Sequence, residues 1–431
     1  MRREYKLNKY IYVQTRPEII IIYNLLSKVI FGLSKEKYEL LTKTDLSELE
    51  VGSPVLFSAM KKLQIIIPKE LNELQIIQML NRQHIFDTKS YRLTINPTLE
   101  CNFKCWYCYE NHPAGYMQPG VMRSVVRHIN RKISEENLKY LHLDWFGGEP
   151  LLYFDEVMYP LSKSIKKITT KTGTLLTGSI TTNGYLIDEK HFDLFRKIEL
   201  NNFQITLDGN QPMHDKIRSQ GNKGSFSQIL RNINRLSEYE ENSILVRINY
   251  TEKTLREIHQ IIPFFSPKAK SRIKIHFQQV WQDSFKKNIS ADAAKKEFIR
   301  QGFHVQQHGL NTKWSVCYAD FLNQAIINYD GKVFKCTARD FATTQPDGVL
   351  LSNGDIDWDT VLLSKRLGTG TFENPYCLRC DFLPVCMGPC SQKMIEFTSE
   401  EDFKKICLKD GVISTIEEKM NDYYNKFCQQ N

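Results

Sequence analysis

Three cysteines within eight residues, Cys101-Asn102-Phe103-Lys104-Cys105-Trp106-Tyr107-Cys108, constrain this chain more than any other stretch of it. Three thiolates on one short loop can hold three irons of a four-iron, four-sulfur cluster and leave the fourth iron open to a small molecule that chelates through nitrogen and oxygen. A cluster built only for electron transfer would call for a fourth cysteine. For this motif taken alone, the alternative is a zinc knuckle with a distant fourth ligand.

The chain has 431 residues, too many for one ordinary core, so two or three domains are expected. Its start, Met1-Arg2-Arg3-Glu4-Tyr5-Lys6, has no apolar signal region, and the longest apolar run, 18–26, is too short to cross a bilayer. A cytoplasmic protein with no membrane partner is therefore expected. In that compartment its eleven cysteines stay reduced, so their clustering points to metal ligation rather than disulfides. The formal charge of +9 is spread along the chain without a basic tail or an aromatic-interleaved stripe, so no nucleic-acid partner is expected.

Between 91 and 281 the pattern alternates strand-like runs with amphipathic stretches, as in a parallel sheet covered by helices. Strands are expected at 91–95, 140–145, 175–182, 202–207, 244–250 and 273–281. Helices are expected at 121–133, 154–168, 191–198, 226–236 and 255–262. Six repeats predict an α/β fold, a partial (β/α)6 barrel related to the eight-stranded TIM barrel. The unusual residues gather where strands end, which is the catalytic face of such folds. The cysteine loop follows the first strand, Gly147-Gly148-Glu149-Pro150 the second, Thr181-Thr182-Asn183-Gly184 the third and Thr206-Leu207-Asp208-Gly209 the fourth. A glycine pair lets backbone approach a ligand closely, and Glu149 can accept a hydrogen bond from an ammonium. Arg218 can supply a fork for a carboxylate, or simply a surface salt bridge. Asn183 and Thr206 are polar side chains at strand ends, with turn capping as their other use.

Ahead of the barrel, 1–90 contains a hairpin pattern over 23–33, helical stretches at 35–41 and 54–63, and a strand-like 64–67, the order of a small winged-helix module. A cap that binds nothing is the alternative. The C-terminal part, 311–431, holds a second array: Cys317, then Cys336 five residues after Gly331, then Cys377, Cys380, Cys386, Cys390 and Cys407. Asp330-Gly331 is a turn signal that would carry Cys336 back beside the first strand of a hairpin. Zinc could occupy Cys377, Cys380, Cys386 and Cys390 on spacing alone.

The cysteine spacing of three then two, with the aromatic Tyr107 before the last, resembles the radical S-adenosylmethionine (SAM) superfamily. That resemblance implies that Cys101, Cys105 and Cys108 hold the SAM-binding cluster. It also implies that Tyr107, Gly147, Gly148, Glu149, Pro150, Asn183, Thr206 and Arg218 frame SAM. The second array matches the SPASM domain, a C-terminal extension with two auxiliary four-iron clusters. By that resemblance Cys377, Cys380, Cys386 and Cys407 hold an outer cluster and Cys317, Cys336 and Cys390 an inner one, with no eighth cysteine between 309 and 316 to complete it. Three four-iron clusters and SAM are the cofactors implied. The whole resembles a peptide maturase that makes a thioether or carbon–carbon crosslink in a ribosomally made precursor. Residues 1–90 would grip its leader, 91–310 form the barrel, and a one-electron reductant such as ferredoxin or flavodoxin would serve it. Two other readings stay open: an anaerobic sulfatase-maturing, formylglycine-forming enzyme, in which Asp340 could act as a base, and a non-catalytic zinc-stabilised scaffold.

Overall fold

The computed structural model describes residues 4–221, 223–284, 289–306, 310, 311, 314, 317–396 and 399–430. Part of 309–316, where an eighth ligand was sought, lies outside the described residues. The chain forms two compact units, Thr88–Gln307 with Asn323–Leu363, and Met1–Asp87 with His308–Leu322 and Ser364–Asn431.

In the first unit six strands lie side by side, parallel and in sequence order: Ser90–Ile95, Tyr140–Trp145, Leu175–Thr182, Leu200–Leu207, Ser243–Tyr250 and Lys274–Gln279. Apolar side chains such as Leu141, Leu143 and Trp145 of the second strand are buried. The helices bury one stripe each, Val125, Ile129 and Ile133 in Pro119–Glu136 and Ile229, Leu230, Ile233 and Leu236 in Phe226–Leu236. Together these side chains make one continuous core.

Expected boundaries hold closely, with two departures that prolines explain. The helix read at 154–168 begins as a π turn, Phe154–Met158, before Tyr159–Thr172. Pro160 sits at its start, where a proline ring clashes with the carbonyl four residues back in regular α geometry. The helix read at 255–262 is a short α-helix, Glu252–Arg256, followed by a 3-10 segment, Ile258–Phe264, that contains Pro263. The sheet is also wider than six strands. His304–Val305 joins one edge, and Gln324–Ile327 pairs parallel with the first strand at the other. Lys332–Phe334, Gly348–Leu350 and Ile356–Trp358 then follow antiparallel. The Asp330-Gly331 hairpin forms as read, and Cys336 stands just beyond its second strand.

The second unit contains an antiparallel meander, Ile11–Thr15, Ile20–Asn24 and Val29–Leu33, of which the expected hairpin is the second half. Its turn is held by Asn24, whose side chain accepts from the N–H groups of Leu26 and Ser27 at 3.0 and 3.1 Å. The middle strand is buried on both faces. Ile20 and Ile22 pack with Leu41, Leu49, Phe57 and Met60 from the helices Lys35–Lys43, Leu46–Gly52 and Pro54–Lys62. Ile21 and Tyr23 pack with Ile416 and Met420 of the helix Lys409–Gln430, and with Leu383, Val385 and Met387 of the cysteine array. The N-terminal sheet and the C-terminal array therefore share a core. Among the described residues no helix is long and apolar enough to cross a membrane.

Candidate functional site

The first strand delivers the chain into the cysteine loop, and the second strand's Gly147-Gly148 turn packs against that loop. A Cβ on Gly147, whose φ is +102°, would lie 2.3 Å from the Thr98 carbonyl oxygen, and one on Gly148 2.2 Å from that of Glu100. The pair thus permits backbone to meet backbone just before Cys101, where the sequence suggested approach to a ligand. Glu149 continues this bracing, its N–H donating to the Glu100 carbonyl at 2.8 Å. Its carboxylate is 0% exposed and accepts from Thr182 Oγ1 at 2.8 Å, Asn183 N at 2.8 Å and Leu151 N at 3.1 Å. The last bond caps the 3-10 turn Pro150–Tyr153, where Pro150 fills a position that needs no N–H. Burial pushes this carboxyl up to about 6, against the pull of the Asn183, Thr182 and Leu151 donors. Three acceptor sites are therefore committed to tying the third strand's end to the glycine turn. Asn183 spans the same seam, its side-chain amide donating to Asn102 Oδ1 at 2.7 Å. Thr206 is buried near the end of the fourth strand, in register with Arg247 of the fifth.

Tyr107 points its hydroxyl into a polar group that sequence reading named only in part. It donates to Asp208 Oδ1 at 2.5 Å and accepts from Arg218 Nη2 at 2.8 Å and Asn249 Nδ2 at 3.1 Å. Arg218 Nε bonds the other Asp208 oxygen. Burial alone would lower the Arg218 pKa, and Asp208 and Tyr107 outweigh it, so the guanidinium stays charged. Burial also raises the Tyr107 pKa and keeps the phenol protonated. Arg218 is accordingly a buried group in a network, not a surface salt bridge. Asp208, Asn249 and Gln282 were missed as site residues. The available signal was position: each is polar and stands at or just past the C-terminal end of a buried strand.

The donor set suits a cluster and a polar ligand. Cys101, Cys105 and Cys108 share one loop, and burial pushes the Cys101 thiol up to about 12, so a thiolate there needs a cation beside it. Two buried polar atoms next to the loop, Asn102 Nδ2 and Gln282 Oε1, lack hydrogen-bond partners, as a polar guest would require. Cys108 Sγ lies 3.4 Å from His112 Nε2, whose Nδ1 is held by the Leu99 carbonyl at 2.7 Å. Beyond it, Asp340 accepts from the backbone and side chain of Asn111, from Ala342 N and from Thr343 Oγ1. Burial works to raise its pKa, but these donors prevail and lower it. The carboxylate the sequence offered as a base is a staple between the cysteine loop and the segment after Cys336.

In the other unit the structure brings Cys377, Cys380, Cys386 and Cys407 within electrostatic reach of one another. Burial pushes Cys377 up to about 12 and Cys386 up to about 11, with the neighbouring thiolates adding to it. Gly388, at φ +71°, turns the chain so that its Cα faces Cys377; a Cβ there would lie 3.1 Å from Cys377 Sγ. Cys317 and Cys390 stand on segments joined through Asp320, whose N–H meets the Cys317 carbonyl at 3.1 Å and whose carboxylate accepts from Ser391 N at 3.3 Å. Cys336 belongs to the sheet unit and is buried. Among the described residues no three His, Cys, Asp or Glu side chains converge on a single-ion site.

Residues 95–262, within the sheet unit, match the model of the Radical SAM superfamily. A cysteine-type anaerobic sulfatase-maturating enzyme of Clostridium novyi (strain NT) is 33% identical over 190 residues, 41% of this chain and 48% of that protein. A GTP 3',8-cyclase of Vibrio vulnificus (strain YJ016) is 28% identical over 241 residues, 53% of this chain and 64% of that protein. The chain thus spans between about half and just under two thirds of these curated relatives. Among solved structures, native anSMEcpe with bound AdoMet superposes with a TM-score of 0.54 at 18% identity, covering 76% of this chain and 99% of that one. Streptococcus suis SuiB bound to precursor peptide SuiA gives 0.52 at 17% identity, covering 92% of this chain and 97% of that one. At such identities the likeness is one of fold.

Proposed function

We propose that this chain is a radical SAM enzyme that installs a thioether or carbon–carbon crosslink in a ribosomally made precursor peptide. The observation that carries the reading is convergence: the three-cysteine loop, the glycine turn and the Tyr107, Asp208 and Arg218 network meet at the C-terminal ends of adjacent parallel strands. Cys101, Cys105 and Cys108 would hold the SAM-binding cluster, which with SAM and one electron supplies a 5′-deoxyadenosyl radical. Around it, the glycine turn, Asn183 and Thr206 shape the walls, Arg218 offers positive charge to a carboxylate, and the sheet core excludes water. Cys377, Cys380, Cys386 and Cys407 would hold an outer auxiliary cluster, and Cys317, Cys336 and Cys390 an inner one with an open iron. A peptide substrate is supported by the fold shared, over 92% of this chain, with a protein solved bound to its precursor peptide. An edge strand of the N-terminal meander would be the place for an extended leader to pair.

Formylglycine formation is the second reading, favoured by the 33% identity to a sulfatase-maturating enzyme. Against it, Asp340 is tied down by four donors and is poorly placed to take a proton. Iron and sulfide analysis of the anaerobically reconstituted protein, with assay of 5′-deoxyadenosine release, tests the proposal. About twelve irons per chain and deoxyadenosine are expected; zinc with no SAM cleavage would return the chain to the scaffold reading. Offering a cysteine-containing precursor and a sulfatase peptide in parallel separates the two enzyme readings.

A further inference from the structure

We propose that the Tyr107 hydroxyl is a latch that couples the cysteine loop to the rim where a ligand carboxylate meets Arg218, a positioning role separate from any contact made by its ring. The proposal rests on the radical SAM reading above. A phenol has one proton to give and two lone pairs to offer. Tyr107 uses all three, giving to Asp208 and receiving from Arg218 and Asn249. The Arg218 Nε bond to Asp208 closes a ring of three side chains. These partners come from different elements. Asp208 follows the fourth strand, Asn249 lies at the end of the fifth, and Arg218 ends the helix Gln211–Ile217. From the backbone side, Gln282 Nε2 donates to the Tyr107 carbonyl at 2.6 Å. One residue of the loop, set between Cys105 and Cys108, is thereby held from four places.

The partners are also fixed from behind. His214 Nδ1 accepts the Asp208 N–H at 3.2 Å, its Nε2 donates to Ser225 Oγ at 3.0 Å, and Ser225 Oγ donates to the Arg218 carbonyl at 2.6 Å. Asp208 is 1% exposed and Arg218 9%, so the ring of bonds lies away from water, where charge-assisted hydrogen bonds are strongest. Removing the hydroxyl leaves an aspartate oxygen, a guanidinium nitrogen and an asparagine amide each short of a partner. Any movement of Arg218 toward a ligand is then felt at the cysteine loop through Tyr107, and the reverse.

Tyr107→Phe keeps the ring and deletes the latch. The full chain, reconstituted anaerobically, is assayed for iron content, for SAM affinity by equilibrium dialysis, and for the change in the reduced cluster's EPR spectrum when SAM is added. Tyr107→Phe should keep its iron, bind SAM about tenfold more weakly, and show a diminished SAM-induced spectral change. Asn249→Ala should move affinity the same way by a smaller factor, and the double variant should be no weaker than Tyr107→Phe alone. Wild-type affinity with a wild-type spectral response in Tyr107→Phe would overturn the latch. Should Tyr107→Phe lose iron, Asn249→Ala decides, since it leaves the loop's own chemistry intact; wild-type SAM affinity there overturns the proposal. A native protein that neither binds SAM nor changes its spectrum removes the radical SAM reading itself, which is a different result.

Discussion

The two cysteine regions are built on different foundations. The loop at 101–108 rises from the first strand of a continuous sheet and is gripped by strand-end residues, the Gly147-Gly148 turn, Glu149, Asn183 and the Tyr107 network. The array at 377–407 sits on helices of four to seven residues and on turns. Its order depends on local devices. Asn374 caps Pro375–Arg379, Gly388 faces Cys377, and a small apolar group of Leu383, Val385 and Met387 packs beneath. A region with so little core of its own would gain a staple from the clusters proposed for it. The sheet should therefore pre-form the first site, whereas the array should need its metal to hold shape.

Cys105→Ala should reduce 5′-deoxyadenosine formation to background, whereas Cys390→Ala should retain some SAM cleavage and lose peptide product; full peptide turnover by Cys390→Ala would contradict the inner-cluster assignment. Next in size is metal removal. Limited proteolysis of iron-free protein should cut first within 374–408 and spare the six-stranded sheet, and equal cleavage in both would show that the array stands without metal. Deleting residues 1–87 uncovers Ile416 and Met420, which pack on Ile21 and Tyr23. The shortened chain should therefore lose helix content at its C-terminus, visible by hydrogen exchange, beyond any effect on leader binding.

The smallest effect is one of pH, and it lies in the sheet unit. Burial depresses His214 to about 4. Its neighbours there are the Asp208 N–H, Ser225, Asp215, Arg218 and the Phe226 ring. A histidine lowered in the folded state contributes stability that is full above its unfolded pKa and fades as pH falls toward the folded one. Between pH 7 and 5 the native protein should lose about 2 kcal/mol from this group, within reach of thermal unfolding. His214→Asn should flatten that slope, and an unchanged slope would place the acid sensitivity elsewhere.

Strand boundaries in the barrel were legible because apolar and polar residues alternate along strands such as Tyr140–Trp145 and Lys274–Gln279, while apolar stripes at the 3.6-residue period mark the helices. The prolines at 160 and 263 were visible too, but whether a helix shifts to π or 3-10 geometry depends on packing around it. Site residues split the same way. Cys101, Cys105, Cys108 and the Gly147-Gly148 pair announce themselves by spacing. Asp208, Asn249 and Gln282 do not, since a single polar residue after an apolar run is common and its partner lies up to 175 positions away.

The alternating α/β pattern, the rim on which the unusual residues gather and the two sets of thiols can all be read along the chain, because spacing is local information. What those residues face is set by folding. It turned the glycine pair toward the backbone at Thr98 and Glu100, committed Glu149 and Asp340 to bracing, and closed Tyr107, Asp208 and Arg218 into one network. It also gave the N-terminal meander a core in common with the C-terminal helix. Burial and hydrogen-bond partnership arise between distant segments, and a carboxylate or guanidinium acquires its role from the donors and acceptors that folding sets around it.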